Sequence, residues 1–500
     1  MDNMGNLCVE LILYLIRWLD SKDLKNIRLV NKNFSDTTEH AFWSTQTVRI
    51  IMREESLEPG IRKFEDFRNN IVSAGKIQRL KITSSVKDTE AAVRLLEAGL
   101  PEALCTLQGL RAIRWKVTSD DLPWIQGAIL QSLASLPLVT KLFLYTNREE
   151  KQLPPISFDL FRNGKLEELS VSARFADRKH YISSLSKLLV QNPNIALLHL
   201  HAHNHEDQIP LRFKDLFSTS FPQPLQLKSL SVHGSWLIEF PHVITHLQSL
   251  SSLEIFDCQR NNDSDFWGTL QTQKVHIRHI STSRIHDELL DYLSSFSGLK
   301  TLRISVPSVL FHETAGRLAQ RLYGQVLSKH RSTLRNVVIH PFLTSRTWYI
   351  GSWNMNAFDN CSQLRSLRVR IHEENIFESS DLETHVVAVL VRRVSALPAL
   401  RTLRLEPQYL FHSHGYARSM TRSREGTALV ENILQNMKLA LTELPRMKVV
   451  HMKPYAHAEP ARYLLEMVHL GEVRLRSENP TESTGSSLAS TTEASTDVAV

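Results

Sequence analysis

The residues best placed to do chemistry cluster at His199-Leu200-His201-Ala202-His203-Asn204-His205. In a β-strand, alternate residues share a face, so His199 and His201 would flank an inward Leu200. His233 holds the matching slot of a later, similar segment. Three imidazoles on adjacent strands could ligate zinc. Solvated polar side chains on a sheet account for the same pattern, and that reading is preferred; no metal is expected. Farther along, Arg303, Arg368, Arg370, Arg404 and Lys453 stand in the equivalent outward slots. Arginine grips carboxylate and phosphate groups through two parallel hydrogen bonds. Arg303, Arg368, Arg370 and Arg404 are therefore expected to line a surface for an acidic or phosphorylated protein segment. Glu406, in the slot of Arg370, could screen part of that charge.

Catalytic signatures are missing. The chain has no P-loop, no GxGxxG and no GxSxG. His205-Glu206, His312-Glu313 and His372-Glu373 are followed at the fourth position after the histidine by Ile209, Gly316 and Ile376, so none forms the HExxH zinc site. No enzyme activity, catalytic residue or cofactor is expected.

The slots of these residues are set by a recurring register: apolar, two residues, apolar, one residue, apolar. It begins at Ile77-Leu80-Ile82 and Leu110-Ile113-Trp115, and continues through Leu166-Leu169-Val171, Ile195-Leu198-Leu200 and Leu227-Leu230-Val232. Later copies include Leu299-Leu302-Ile304, Leu364-Leu367-Val369, Leu400-Leu403-Leu405 and Met447-Val450-Met452, with a weak one at Ile277-Ile280. Helix-like stretches separate them, such as Ala91 to Leu107, Ile182 to Leu189, Arg317 to Leu327 and Val386 to Leu397. A strand and a helix repeated in this way form a solenoid that no single unit can stabilise. The register resembles leucine-rich repeats. Its thirteen copies step by about 31 residues between 77 and 447, longer than the 20–29 of such repeats. Only Asn147 and Cys258 stand where a regular repeat carries Asn or Cys. An irregular α/β horseshoe with long helices and insertions is expected over 77–476.

The N-terminal stretch has a different character. Leu11, Leu15 and Leu19 share one helical face, Ile12 and Ile16 form a second stripe, and Trp18 adds bulk. A helix apolar nearly all round is buried on more than one side, yet a module of about 45 residues has little core of its own. Part of that surface should meet a partner. The series Leu7-Cys8-Val9-Glu10-Leu11, Leu15, Leu19, Asp23-Leu24, Ile27, Arg28-Leu29-Val30, Lys32, Phe34, Phe42-Trp43 and Val48 resembles the F-box. Cys8 replaces the usual proline and Asn31 the usual cysteine. With the degenerate repeats, the chain is similar to fungal-type F-box proteins.

The resemblance implies a three-helix F-box over 1–50 that docks on a Skp-family adaptor through Leu7, Glu10, Leu11, Leu15, Ile16, Leu19, Leu24 and Val30. It further implies a substrate-recognition subunit of an SCF-type cullin–RING ubiquitin ligase, with the repeats holding a target protein. The alternative is a protein-interaction scaffold not coupled to ubiquitination. A helix linking the two parts is expected over 51–76, with Phe64, Phe67 and Ile71 on one face.

Composition agrees with these expectations. The longest early apolar stretch, Leu11 to Leu19, contains Arg17 and falls far short of a membrane span. No basic stretch precedes it as a secretory signal requires. The four cysteines lie far apart with no CxxC pair, which argues against a disulfide framework or zinc knuckle; Cys258 and Cys361 are expected in the core. Cytoplasmic or nuclear residence follows. Net charge is +7 over 500 residues, a bias toward acidic partners that does not by itself call for nucleic acid. Residues 477–500, rich in Ser and Thr, are expected to be a disordered tail.

Overall fold

In the computed structural model, described residues cover most of 47–408, with the main gaps at 54–56, 147–155, 174–177, 203–210, 218–220, 238–242, 259–263, 307–311, 342–345 and 373–384. Scattered positions between 23 and 38, and residues 450–452, 463–468 and 472–477, are described as well. The eight residues expected to face an adaptor lie outside them, as does the tail beyond Ser477. The chain divides into two compact units, Met1–Ile304 and Ser305–Val500.

The first unit is built on parallel strands that pair in sequence order: β1 (Thr47–Arg53), β2 (Arg79–Ser85), β3 (Ala112–Lys116), β4 (Lys141–Tyr145), β5 (Glu168–Ala173) and β6 (Leu197–Ala202). A two-residue strand, β7 (Leu211–Arg212), pairs outside this sheet with β9 (Trp236–Leu237). The main series continues with β8 (Ser229–Gly234), β10 (Ser252–Phe256), β11 (His279–Thr282) and β12 (Thr301–Val306). In the second unit, β13 (Asn336–Pro341), β14 (Ser366–His372), β15 (Thr402–Gln408) and β16 (Val450–Met452) follow the same rule. An antiparallel hairpin, β17 (Tyr463–Val468) with β18 (Glu472–Ser477), follows them in the span expected to continue the repeats.

All thirteen copies of the apolar register become strands. Register explains why. Leu80, Ile113, Leu142, Leu169, Leu198 and Leu230 stand directly opposite one another along β2 to β8. Each is at most 1% exposed, as are Leu253, Ile280 and Leu302 beyond them and Val337, Leu367 and Leu403 in the second unit. Burying each such side chain contributes about 1.5–3 kcal/mol, and shifting a strand by one residue would turn its whole apolar set to water.

Parallel neighbours need crossovers, and most of these are helical. The helices Leu57–Asn69, Thr89–Glu97, Pro123–Ala134 and Arg178–Gln191 supply Phe64, Leu95, Ile129 and Leu188 to the buried side of the sheet. Asp88 caps the second of these, its carboxylate accepting from the backbone N–H groups of Glu90 and Ala91.

Strand entry repeats one backbone device. The carbonyl of Gln78 accepts from both Arg111 and Ala112 N–H, that of Arg111 from Thr140 and Lys141, and that of Thr140 from Glu167 and Glu168. The same pairing recurs at every step to Arg278, which accepts from Lys300 and Thr301, and in the second unit at Arg335 and Arg365. The polar side chains that close the turns before the strands are not uniform. Asn192 Oδ1 accepts from Leu166 N–H at 3.5 Å while its amide nitrogen donates to the Leu188 and Phe161 carbonyls, His246 Nδ1 accepts from Leu225 N–H at 2.9 Å, and the Tyr292 hydroxyl bridges Ile277 N–H and the Val275 carbonyl. Three different residues do one job, which is why no fixed Asn position was visible. Tyr292→Phe, which leaves the Ile277 N–H buried without its acceptor, is expected to lower unfolding free energy by about 1–3 kcal/mol in denaturant titration.

Three expectations need correction. The sheet starts at Thr47, with β1 pairing β2 from Thr47↔Arg79 to Arg53↔Ser85. Residues 51–53 are therefore strand, not the start of a linking helix, and Ile50 and Met52 are core. The helix that follows buries Phe64 and Phe67 but stops at Asn69. Asn70 caps a separate turn, Ile71–Ala74, and Ile71 is left 60% exposed instead of sharing their face. Finally, the residues after the middle apolar positions Leu169, Leu198, Leu230, Leu302, Leu367 and Leu403 are expected to be exposed, but only Arg303 is; Ser170, His199, Arg368 and Arg404 are half-buried, and Ser231, hydrogen-bonded to Glu254 and His233, is 5% exposed. Cys258 and Cys361 are buried, as expected.

Candidate target-binding face

One side of each strand is buried, so the other side presents alternate residues on an open face. Its central row in the first unit runs Arg49, Lys81, Arg114, Phe143, Ser170, His199, Ser231, Glu254, Ser281 and Arg303, each in register with the next. The row beyond it reads Ile51, Thr83, Lys116, Tyr145, Ser172, His201, His233 and Phe256.

The histidines lie where the sequence placed them. His199 faces Ser231, and His201 faces His233 with ring centroids 5.5 Å apart. His233 stacks on Phe256 at 5.1 Å. Burial lowers the His199 pKa, with Glu168 and Glu254 pulling the other way, so this imidazole is neutral at neutral pH. Ser231, His233 and Glu254 form a compact set. His233 Nε2 lies 3.0 Å from Ser231 Oγ and 3.8 Å from Glu254 Oε1, and Ser231 donates to Glu254 Oε2 at 3.2 Å. The neighbouring His233 imidazole leads the effects that hold the Glu254 carboxyl below its ordinary pKa; Arg303 also contributes. Serine and carboxylate meet the same imidazole nitrogen here, so the set lacks the relay of a hydrolytic triad, in which they engage opposite nitrogens. Among the described residues no group of three or more His, Cys, Asp or Glu side chains is arranged to hold a metal ion.

The arginines divide between the units. Arg303 is exposed on β12. In the second unit, Arg368 stands directly opposite Arg404, and Arg370 opposite Glu406. All three of these arginines are half-buried. Arg370 donates from Nη1 to the Pro341 carbonyl at 2.6 Å, so it helps fix β14 against the chain before it. Arg368 and Arg404 thus share one row, while Arg370 is engaged by backbone.

A denser cationic region was missed. On β1 to β4 the open face carries Arg49, Arg79, Lys81, Arg114, Lys116 and Lys141, interrupted by no acid. Lys141 bonds Glu168 on β5 at 2.7 Å. Among the described residues no ion pair engages the other five. Arg114 lies over the Phe143 ring, 5.4 Å from its centroid. The signal was present in the slots beside Leu80, Ile82, Ile113 and Trp115.

Strand order, register and buried apolar set define a leucine-rich-repeat-like array of parallel strands in each unit. No protein-family model matches the chain, and no curated protein does. Among solved structures it is similar to an internalin from Listeria monocytogenes, at 15% identity over 80% of this chain and 90% of that one, with a TM-score of 0.35. It is also similar to internalin C2 from the same organism, at 16% identity over 47% of this chain and 82% of that one, TM-score 0.25. At such TM-scores the superpositions add nothing to what the strands themselves show. No helix among the described residues is long and apolar enough to cross a membrane.

Proposed function

We propose that this chain is the substrate-recognition subunit of an SCF-type cullin–RING ubiquitin ligase. Residues 1–50 would dock on a Skp-family adaptor, and the open face of the strands would hold a protein target. The observation that carries the binding half is the one-sided sheet: the inward positions of β2 to β15 are buried and, apart from residues such as Ser84 and Thr282, apolar, while the outward ones form continuous rows of polar, aromatic and charged side chains. A face that serves no packing role is free to bind. The adaptor half rests on the F-box-like series from Leu7 to Val48. Rate enhancement would come from holding the target beside a charged ubiquitin-conjugating enzyme, a proximity effect that asks no chemistry of this chain.

Affinity purification followed by mass spectrometry tests both halves. The full chain should bring down adaptor and cullin, and a chain lacking residues 1–50 should lose them while keeping its other partners. Adaptor recovery without residues 1–50, or none from the full chain, overturns the reading. In the second unit, Arg368→Glu/Arg404→Glu is expected to weaken target capture by about tenfold, since two like charges in register become two acids. Circular dichroism checks the fold, and undiminished capture by the folded variant removes this pair from the binding surface.

A further inference from the structure

We infer that the open face of β1 to β4 binds an acidic polypeptide segment in extended conformation, with its carboxylates on Arg49, Arg79, Lys81, Arg114 and Lys116. The inference rests on reading the open face as target-binding, and is independent of what the N-terminal residues dock on.

Charge makes the first argument. Arg49, Lys81 and Arg114 occupy one row on three adjacent strands, and strands in a sheet lie about 4.8 Å apart. Arg79 and Lys81 stand two apart on β2, and Arg114 and Lys116 two apart on β3. Arg49, Arg79 and Arg114 are exposed; Lys81 and Lys116 are half-exposed. No ion pair among the described residues engages these five. Like charges held this close repel, and an anion laid across them relieves the repulsion.

Spacing makes the second argument. Residues two apart on a strand are separated by about 6.6 Å, and so are alternate side chains of an extended peptide. A segment with acids at every second position matches Arg79 and Lys81, or Arg114 and Lys116, without distortion. Arg114 supplies the third. Its guanidinium covers the Phe143 ring face, where a nucleic-acid base would stack. The fork of the guanidinium can still offer two hydrogen bonds to a carboxylate. The ring thus holds the arginine in place, and the face suits carboxylates better than bases.

The test is fluorescence anisotropy of a labelled peptide alternating glutamate and serine, titrated with the full chain. Binding should weaken as salt rises, because exposed pairs are screened over about 8 Å at 0.15 M and about 3 Å at 1 M. Lys81→Glu/Arg114→Glu should lose roughly tenfold or more in affinity, and Lys81→Gln/Arg114→Gln, which removes the charge without reversing it, an intermediate amount. Adaptor recovery from the same variants should not change, which separates this inference from the ligase reading. Three results overturn it: equal affinity of wild type and both folded variants, tighter binding of oligo(dT) than of the peptide, or loss of the peptide by Arg368→Glu/Arg404→Glu while the β2/β3 variants keep it.

Discussion

Replacing Asp121 by alanine is expected to lower the unfolding free energy by about 2–4 kcal/mol. Asp121 follows β3 and is 3% exposed. Its Oδ1 accepts from Val86 N–H at 3.1 Å; its Oδ2 accepts from Thr118 N–H at 3.1 Å and from the Ser84 hydroxyl at 2.6 Å. Ser84 Oγ in turn accepts from the Trp115 indole N–H at 3.1 Å. One carboxylate therefore ties the end of β2 to the turn after β3. Alanine strands two backbone N–H groups in the interior, while Ser84 can turn to the Lys116 carbonyl 3.4 Å away. Denaturant titration of the wild type and the variant measures the loss. A change below about 0.5 kcal/mol, the range of ordinary surface substitutions, would mean that the carboxylate is dispensable.

The same residue gives a pH signature. Burial raises the Asp121 carboxyl pKa above its ordinary value, against the lowering effect of its hydrogen bonds. A raised folded-state pKa means that the folded protein favours the protonated form. The associated stabilisation is full below the unfolded-state value and is lost as pH rises through the folded-state value. Asparagine keeps one acceptor oxygen and has no titration. The stability of the wild type relative to Asp121→Asn should therefore fall as pH rises from about 4 toward neutrality, and a flat difference would contradict the burial effect.

What the sequence disclosed was what periodicity encodes. The register of apolar residues marked thirteen strands, β2 to β6, β8 and β10 to β16, because each buried triplet is local and repeats. β1 escaped because Val48, Ile50 and Met52 lack the leading apolar residue and stood next to a different pattern. Asp121 escaped because Asp120-Asp121 reads as a solvated loop; its burial depends on Ser84 and Val86, more than 30 residues earlier. The turn-closing side chains were illegible for a related reason. An acceptor is required before each strand, but Asn192, His246 and Tyr292 supply it from different positions, so no spacing repeats. Of the face, the alternation of Ser, His and Arg slots was read correctly, and the Arg368–Arg404 register was found as expected. That Arg370 is held by the Pro341 carbonyl could not be read, since it depends on a backbone atom of another strand. The cations of β2 and β3 were legible in the same slots.

The other large effect belongs to the N-terminal residues. Leu15→Asp is expected to abolish recovery of the adaptor while leaving the strand array folded. Leu11, Leu15 and Leu19 form one apolar stripe beside that of Ile12 and Ile16, in a module too short to bury both in its own core. An aspartate in the middle of the stripe meets an apolar surface whichever side it faces, at a cost of several kcal/mol for an unpaired charge. At about 1.4 kcal/mol per tenfold in affinity, that is enough to remove a micromolar complex from a pull-down. The sheet is expected not to feel the change, since the apolar core among the described residues is drawn from β1 onward and the helices that follow it. Circular dichroism and thermal melting of the variant should therefore show the unfolding transition of the array unchanged. Undiminished adaptor recovery by the variant would sink the F-box reading and leave the binding face of the strands standing by itself. Loss of adaptor together with collapse of the array would instead mean that the N-terminal helices are part of the repeat core.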